Sequence, residues 1–384
     1  MRDNINTNRV WSCLDCGKCS TVCPITRWET RAYTSPRLLV EKASGGHMDE
    51  LMADHLFWSC LTCNRCSELC PSNVDFSIFV QTTRVLARGE GRSGDCTHGD
   101  MIQTWARMMT DPNLKQDRLG WLNGDLRISE ESDTIYFPGC LPYYDVVFNH
   151  LDIDGIDIAQ AAVKILNHMG IEPIILGDER CCGHDQLWEG DIETFQSLAE
   201  LNLNIIKSTG AKRIVTTCPE CARTLKEDYP KYVGEHGLEI LHMTELIASE
   251  GLPLSQWIID LPSGQTKGSP VTYQDPCRLG RFMGVYDPPR QIIECLGYEL
   301  VEMERNRKKS LCCGTSCWTA CGQVSKNIQV ERLKEAKATG ADLLVTACVK
   351  CQIHFKCAQN DSILRDEIDI QIRDLTTLVA EKLG

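Results

Sequence analysis

Two stretches of this sequence share the spacing Cys-x₂-Cys-x₂-Cys-x₃-Cys-Pro, which constrains the first hundred residues more than any other feature. They are Cys13, Cys16, Cys19, Cys23 with Pro24, and Cys60, Cys63, Cys66, Cys70 with Pro71. This run is typical of paired [4Fe–4S] clusters, in which the fourth cysteine of each run binds the other cluster. We therefore predict one cubane cluster on Cys13, Cys16, Cys19 and Cys70, and a second on Cys60, Cys63, Cys66 and Cys23.

The residues around these runs predict a helical domain over positions 1–100, with loops that wrap the two clusters. Residues 36–42 (PRLLVEK) and 49–58 (DELMADHLFW) carry apolar positions at helical spacing. A polar stretch at 101–132 contains Pro112, Gly120 and Gly124, and it reads as a connector with short helical character.

From Asp133 onward the chain repeats one unit, which predicts two tandem domains at 133–265 and 266–384. The spacing from Cys140 to Cys277 is 137 residues, from Cys181 to Cys312 it is 131, and from Cys218 to Cys348 it is 130. Such self-similarity indicates duplication. Each copy alternates short β-branched runs with amphipathic segments, which favours α/β layers with mainly parallel strands. The overall expectation is an α+β, α/β multidomain protein.

Each copy also carries five cysteines in the pattern Cys…Cys-Cys-Gly…Cys-x₂-Cys. The first set is Cys140, Cys181, Cys182, Cys218 and Cys221, and the second is Cys277, Cys312, Cys313, Cys348 and Cys351. These cysteines follow predicted strands, where open α/β sheets place their ligands. Gly183 and Gly314 are expected to let the backbone pass close to inorganic atoms. Five thiols are one more than a cubane needs.

Two other uses of these cysteines remain open at this point. Zinc also binds Cys-x₂-Cys pairs, but it does not require the ferredoxin-type spacing written twice with proline. A redox disulfide within each Cys-x₂-Cys would leave the Cys-Cys-Gly pairs unexplained. A secreted disulfide scaffold is disfavoured because the chain is long, its 23 cysteines have ligand spacing, and its start shows no apolar signal region.

Charge and hydropathy exclude several classes of function. The net charge is −13, which disfavours nucleic acid because phosphate contacts need Lys and Arg. The sequence holds no uncharged apolar stretch long enough to span a bilayer. The one basic clump, residues 304–309 (ERNRKK), is interpreted as a solvated turn, with a docking patch as the alternative. No dinucleotide fingerprint is present, so we predict no bound NAD or flavin.

Several single residues have open roles. Cys317 and Cys321 follow the second Cys-Cys-Gly without a counterpart in the first copy, and they are interpreted as buried cysteines, with spare cluster ligands as the alternative. Cys96, Cys295 and Cys357 are expected to be structural. Four further residues lie near the motifs. His184 and His354 are candidates to donate a proton or hydrogen bond to substrate sulfur, with a supporting or surface role as the alternative, and Trp188 and Trp318 are expected to pack and exclude water.

With these motifs in order, the chain resembles heterodisulfide reductase. It is most similar to the family's D-type subunit, a fusion of the ferredoxin-like C-type subunit with the catalytic B-type subunit. The same layout resembles iron–sulfur subunits of anaerobic glycerol-3-phosphate dehydrogenase, lactate or glycolate oxidases, and bifurcating complexes. The resemblance implies two noncubane [4Fe–4S] clusters, each held by one five-cysteine set, facing one another across a substrate disulfide. The ten cysteines of these two sets would then be the catalytic residues. The segment 312–321 (CCGTSCWTAC) departs from the family pattern in its two extra cysteines.

The expected function is electron flow from a partner through the two cubane clusters to the noncubane pair, where a disulfide is reduced. The alternative is a relay subunit of a flavoprotein, quinone-linked or bifurcating complex with no substrate site of its own. The expected partners are a flavin-containing protein like the A-type subunit of heterodisulfide reductase, or a cytochrome b, together with a small disulfide. We expect a cytoplasmic location, or one on the cytoplasmic membrane face through a partner. An open cavity between the two five-cysteine sites would indicate chemistry, and a filled one conduction.

Overall fold

The structure, a computed structural model, describes residues 10–29, 34–249, 268–361 and 363–383. Its first part is helical. The α-helices there are Lys18–Val22, Pro24–Trp28, Pro36–Ser44, Met48–Met52, His55–Ser59, Arg65–Glu68 and Phe76–Gly89, with 3-10 turns at Val10–Ser12 and His98–Asp100. The helices predicted over 36–42 and 49–58 are confirmed, and Pro36–Ser44 begins where the Ser35 side chain accepts a hydrogen bond from the Leu38 amide. In the stretch predicted as a connector, Met101–Met108 is helical and Trp121 is buried.

The first copy folds around a parallel four-stranded sheet. Its strands are β1 (Thr134–Tyr136), β2 (Ile174–Ile175), β3 (Arg213–Thr216) and β4 (Glu239–His242), in the order β2-β1-β3-β4. Ile135 lies opposite Ile174 and Ile214 in the neighbouring strands. The helices are Leu141–Val147, Gly155–His168, His184–Glu189, Ile192–Thr209, Pro219–Arg223, Tyr229–Tyr232 and Met243–Ser249, with a 3-10 turn at Asn149–Leu151 and a π-helical turn at Thr224–Asp228.

The second copy repeats this topology. Its strands are β5 (Pro270–Gln274), β6 (Glu299–Leu300), β7 (Leu343–Thr346) and β8 (Gln371–Asp374), all parallel and in the equivalent order β6-β5-β7-β8. The helices are Asp287–Cys295, Gln323–Lys337, Val349–Gln359, Arg365–Ile368 and Leu375–Lys382, with a π-helical turn at Arg278–Phe282 and a 3-10 turn at Arg307–Lys309. The matching strand orders agree with the predicted duplication, and the parallel strands confirm the expected α/β layers.

The two copies share one hydrophobic core. Helix Gly155–His168 of the first copy packs on Leu375–Lys382 of the second, and Met243–Ser249 packs on Asp287–Cys295. A second core joins the helical N-terminal part to the second copy, with Phe57 and Phe79 packed in the same cluster as Phe355. This shared packing holds the cysteine-bearing loops of the three parts close together.

Arg84 ties the N-terminal helices to the first copy. Its guanidinium is buried and donates to the carbonyl oxygens of Phe57, Trp58 and Cys60 at 2.8–3.0 Å, and to that of Trp188 at 3.0 Å. Next to it, a Cβ on Gly190 would lie 2.5 Å from the Arg84 backbone, so this contact requires glycine. The two parts are therefore in backbone contact at this point.

We expect Arg84→Met to lower the free energy of unfolding by about 2–3 kcal/mol, because a charged donor is withdrawn from buried carbonyl groups. The melting temperature of the anaerobic protein would report the change. Arg92→Met is the matched control, since Arg92 is partly exposed and pairs with the exposed Asp49, a contact worth roughly 0–1 kcal/mol. Equal melting temperatures for the two variants would contradict this role of Arg84.

Candidate metal centres

The two ferredoxin-type runs fold into matching loops. Residues with positive φ flank the middle cysteine in both: Asp15 and Gly17 around Cys16, and Thr62 and Asn64 around Cys63. These left-handed residues curl each loop around its own cysteines. The same backbone path is thus written twice with different side chains.

The fourth cysteine of each run lies with the other run. Cys13, Cys16, Cys19 and Cys70 line one cavity, together with Cys66. Cys23 lines a second cavity with Cys60, Cys63 and Cys66. The structure therefore brings together the two crossed sets that the spacing predicts. We call the first set the outer site, because Cys16 is exposed, and the second the inner site, because Cys63 is buried.

The inner site touches the second copy. The thiol of Cys63 is hydrogen-bonded to that of Cys312, and the Arg281 Nε donates to the Cys63 carbonyl at 2.5 Å. The Cys312 hydrogen bond, helped by Arg281 and Arg65 and opposed by burial, lowers the pKa of Cys63 to about 5. A cysteine of the inner site thus shares a hydrogen bond with a cysteine of the second five-cysteine set.

The five cysteines of the first copy converge beyond the ends of its central strands. Cys140 follows β1 and Cys218 follows β3, the edge where parallel sheets place ligands. The Cys140 and Cys181 sulfurs are 3.6 Å apart, and those of Cys182 and Cys221 are 3.4 Å apart. All five line one cavity with Tyr144, His184, Asp185 and Glu220.

The second copy assembles its five cysteines in the same way. Hydrogen bonds link Cys277 to Cys312, Cys312 to Cys313, Cys313 to Cys351, and Cys351 to Cys348. Of these, all but Cys277 are buried. The Cys351 hydrogen bond lowers the pKa of Cys348, but burial and the nearby Cys218 of the first copy outweigh it and raise that pKa. The two five-cysteine sets are therefore neighbours across Cys218 and Cys348.

These donor sets fit iron–sulfur clusters. All 23 cysteines are free thiols, and sulfur separations of 3.4–3.6 Å are far from the roughly 2 Å of a disulfide bond. Four or five thiols converge at each site, and soft thiolate ligands favour Fe–S clusters or zinc. A fifth thiol in each copy exceeds what tetrahedral zinc can take.

Gly183 and Gly314 have a different local reason from the one predicted. Both have positive φ, +81° and +92°. A Cβ would lie 2.7 Å from the ring of Phe195 at Gly183, and 2.8 Å from the carbonyl oxygen of Ser325 at Gly314. Left-handed backbone and close protein packing therefore require glycine here.

A buried group of charged residues lies between the two five-cysteine sets. Glu220 and Lys350 occupy the same position in the two Cys-x₂-Cys segments, and the Lys350 Nζ lies 2.8 Å from Glu220 Oε2 and 2.7 Å from Asp185 Oδ1. Burial opposes the charge of Lys350, but the two carboxylates outweigh it and raise the pKa of Lys350 well above its usual value. We call Asp185, Glu220 and Lys350 the junction triad.

His184 is held neutral beside the triad. Arg278 Nε donates to His184 Nε2 at 2.9 Å, and because arginine can only donate, Nε2 carries no proton. Burial lowers the pKa of His184, so its proton sits on Nδ1, which is 3.3 Å from Asp185 Oδ1 and 3.5 Å from Glu220 Oε2. His184 thus orients the triad, in line with a supporting role.

Two tryptophans and the second histidine lie around the junction. Trp188 and Trp318 are fully buried, as predicted, and Trp318 lies 5.0 Å from the ring of His354 and 5.1 Å from the Lys350 Nζ. Burial lowers the pKa of His354.

The extra cysteines differ from one another. Cys317 is buried, packs in the core of the first copy, and has its pKa raised to about 12 by burial. The prediction of a buried Cys321 is wrong, because this side chain is exposed, and Cys295 is also exposed where a structural role was expected. Cys96 and Cys357 are half-buried.

The charged residues of the junction were missed by sequence reasoning. Asp185, Glu220, Lys350 and Arg278 each lie beside or between motif cysteines. Charged side chains inside segments that are expected to be buried were the available signal, since burial of a charge requires a partner. The partner of Lys350 is 130 residues or more away along the chain, so the pairing itself could not be read.

Comparisons with known proteins agree with this layout. The family described as "4Fe-4S dicluster domain" matches residues 9–74, and the family described as "Cysteine-rich domain" (CCG) matches 134–226 and 271–356. A crystal structure of a hypothetical protein from Helicobacter pylori matches 96% of this chain and 71% of its own, with a TM-score of 0.53 at 11% identity, a likeness of fold alone. Among the described residues, none of the helices combines the length and apolar composition needed to cross a bilayer.

Curated relatives point to one family. The D-type subunit of dihydromethanophenazine:CoB–CoM heterodisulfide reductase from Methanosarcina acetivorans is 33% identical over 70% of this chain and 64% of its own length. The B-type subunit of fumarate reductase (CoM/CoB) from Methanothermobacter marburgensis is 26% identical over 98% of this chain and 73% of its own. The chain spans 64–65% of the three D-type relatives from Methanosarcina species. The chain therefore belongs to the heterodisulfide reductase family, as an iron–sulfur protein like its D-type subunit, with a dicluster ferredoxin domain and two cysteine-rich CCG domains.

Proposed function

We propose that this chain is an iron–sulfur oxidoreductase subunit that reduces a small disulfide between its two CCG sites. The observation that carries the proposal is the adjacency of two complete five-thiol sites across Cys218 and Cys348, with the inner ferredoxin site hydrogen-bonded to one of them through Cys63 and Cys312. The division into 1–100, 101–132, 133–265 and 266–384 belongs to the same proposal.

In this proposal the cysteines hold four clusters. Cys13, Cys16, Cys19 and Cys70 hold one cubane, and Cys60, Cys63, Cys66 and Cys23 the other. The sets Cys140, Cys181, Cys182, Cys218, Cys221 and Cys277, Cys312, Cys313, Cys348, Cys351 each hold a noncubane cluster. When bound, these clusters supply single electrons, two of which a disulfide needs for conversion, with two protons, to two thiols.

The surrounding residues would supply charge compensation and protons. The Lys350 ammonium offsets part of the negative charge that the thiolates of both sites bring together. Tyr144 lines the cavity of the first CCG site, and the Trp318 Nε1 donates to its hydroxyl oxygen at 3.2 Å. The hydroxyl hydrogen of Tyr144 is therefore not used in that bond and can serve a sulfur in the cavity.

A second candidate function is an electron relay without a substrate. The observation that favours it is the junction triad, which is packed under Trp318 and occupies space between the two sites. The cavity at the first CCG site reaches Val349 of the second copy, yet its walls are the triad acids and the cysteines themselves. A disulfide would have to enter beside these charges.

An assay on the anaerobically purified protein separates the two functions. Iron should run to roughly sixteen atoms per chain if each of the four sites holds a four-iron cluster. With a reduced viologen dye as donor, a panel of small disulfides should oxidise the dye if the chain is a reductase. Full iron without dye oxidation for every disulfide would favour the relay, and a colourless, zinc-loaded protein would contradict both.

The partners belong to the proposal as well. "EtfAB:quinone oxidoreductase" of Syntrophomonas wolfei is 29% identical over 58% of this chain and 30% of its own length, and its name pairs a flavoprotein with a quinone. We propose that a flavin-containing or cytochrome b protein delivers electrons to this chain, in the cytoplasm or on the cytoplasmic membrane face. Copurification from the native host under anaerobic conditions, followed by cofactor analysis, tests which of the two it is.

A further inference from the structure

The outer site opens onto an exposed apolar surface. The exposed fractions of Trp11, Leu14 and Leu69 are 54%, 70% and 49%, and Cys16 beside them is exposed. Leu14 lines the same cavity as the outer-site cysteines, Trp11 lies two residues before Cys13, and Leu69 directly precedes Cys70. We call Trp11, Leu14, Cys16 and Leu69 the outer face. Single exposed apolar side chains are ordinary, but these three cluster around one metal centre.

Basic side chains border the outer face. Lys308 and Lys309 are exposed on the 3-10 turn Arg307–Lys309, which packs against helix Arg65–Glu68. The Lys308 Nζ lies 3.1 Å from Glu68 Oε2, two residues before Cys70. Lys18 is exposed at the edge of the outer-site cavity. On a chain of net charge −13, the sequence's one basic clump therefore lies beside its most exposed cluster site.

The acids nearest to this border are already matched. Asp15 pairs with Arg37 at 2.7 Å, and Glu68 pairs with Lys308. The lysines therefore give the border a local positive character that the rest of the acidic chain lacks. A charged border around an apolar centre is the usual anatomy of a protein interface.

We propose that the outer face docks an electron-carrying protein whose own redox centre lies at an acidic surface. The proposal rests on the electron-transfer function above and names the side of the molecule where the partner binds. Charge complementarity would steer the acidic partner to this border and away from the remaining acidic surface. A second copy of this chain is disfavoured as the occupant, because two basic borders would meet.

The test uses the anaerobic holoprotein and a purified acidic two-cluster ferredoxin as the probe, with binding measured by calorimetry at low and moderate salt. Wild type should bind and weaken as salt rises. Lys308→Glu with Lys309→Glu should weaken binding about tenfold or more and remove most of the salt dependence. The control, Lys207→Glu with Lys212→Glu, has the same net charge and lies on exposed positions of the first copy. It should bind as wild type does.

A second pair of variants tests the apolar centre. Leu14→Asp should also weaken binding about tenfold, whereas Val146→Asp, at a side chain with a similar exposed fraction of 72%, should not. The proposal is overturned if wild type does not bind the ferredoxin, if the control pair weakens binding as much as the Lys308 and Lys309 pair, or if sedimentation shows the face buried in a dimer. Dye-driven disulfide reduction bypasses docking, so its persistence in these variants separates this proposal from the reductase function.

Discussion

Cys312→Ser is expected to abolish disulfide reduction, with a loss of at least about a hundredfold in dye oxidation. Its thiol is hydrogen-bonded to Cys63 of the inner site and to Cys277 and Cys313 of its own set. One substitution therefore removes a ligand from the second CCG site at its contact with the inner site. Even residues one step removed from a metal typically change affinity or activity 10–100-fold. Iron should fall by about four atoms per chain, measured with dye oxidation on the same anaerobic sample.

Cys295→Ser is the matched control for this substitution. Cys295 is an exposed cysteine at the end of helix Asp287–Cys295 in the same copy, outside every motif. Its variant should keep the full iron content and the full rate of dye oxidation. A Cys312→Ser protein with unchanged iron and rate would remove Cys312 from the proposed ligand set.

Lys350→Met is expected to lower the free energy of unfolding by about 3–5 kcal/mol. The side-chain volume is nearly kept, but Asp185 and Glu220 are left close together and buried without their cation. Breaking a buried charge cluster by removing one partner costs this much because the remaining charges are uncompensated. Melting of the anaerobic protein, followed by circular dichroism, measures the loss.

Two further variants make this prediction specific to the junction. Lys334→Met removes an exposed lysine that pairs with the exposed Glu367, and its melting temperature should stay close to that of wild type because water screens such a pair. Adding Asp185→Asn and Glu220→Gln to Lys350→Met should recover most of the lost stability, since no buried charge is then left unpaired. A Lys350→Met protein that melts with wild type would show that the lysine does not compensate these acids.

The parts of this molecule that depend on local patterns were predictable. The β-branched runs of each copy became parallel strands in matching order, and the apolar stretches at 36–42 and 49–58 became helices, because strand and helix periodicity is a short-range property. The cysteine spacing also indicated which thiols meet, including the exchange of Cys23 and Cys70 between the runs, because a tight loop delivers only three ligands to one cube.

Burial of the individual extra cysteines was less predictable. Cys317 and Cys321 stand four residues apart in one segment, yet one is buried in the core of the other copy and one is exposed. The segment departs from helical geometry, with positive φ at Cys317, Trp318 and Ala320. Its path is set by contacts such as the Thr97 amide donating to the Trp318 carbonyl oxygen at 2.8 Å, across more than 200 residues.

The sequence by itself determined the chemistry of the sites, since the spacing of eighteen cysteines specifies thiolate ligands for metal clusters, and it determined the repeated α/β architecture that carries ten of them. Only the tertiary structure decided how the sites relate to one another: Cys63 against Cys312, Lys350 between Asp185 and Glu220, and the lysines of the Arg307–Lys309 turn beside the outer site. The physical reason is that each of these contacts joins segments more than a hundred residues apart. Such a contact depends on how the helical domain and the two copies pack together, and local periodicity carries no information about that packing.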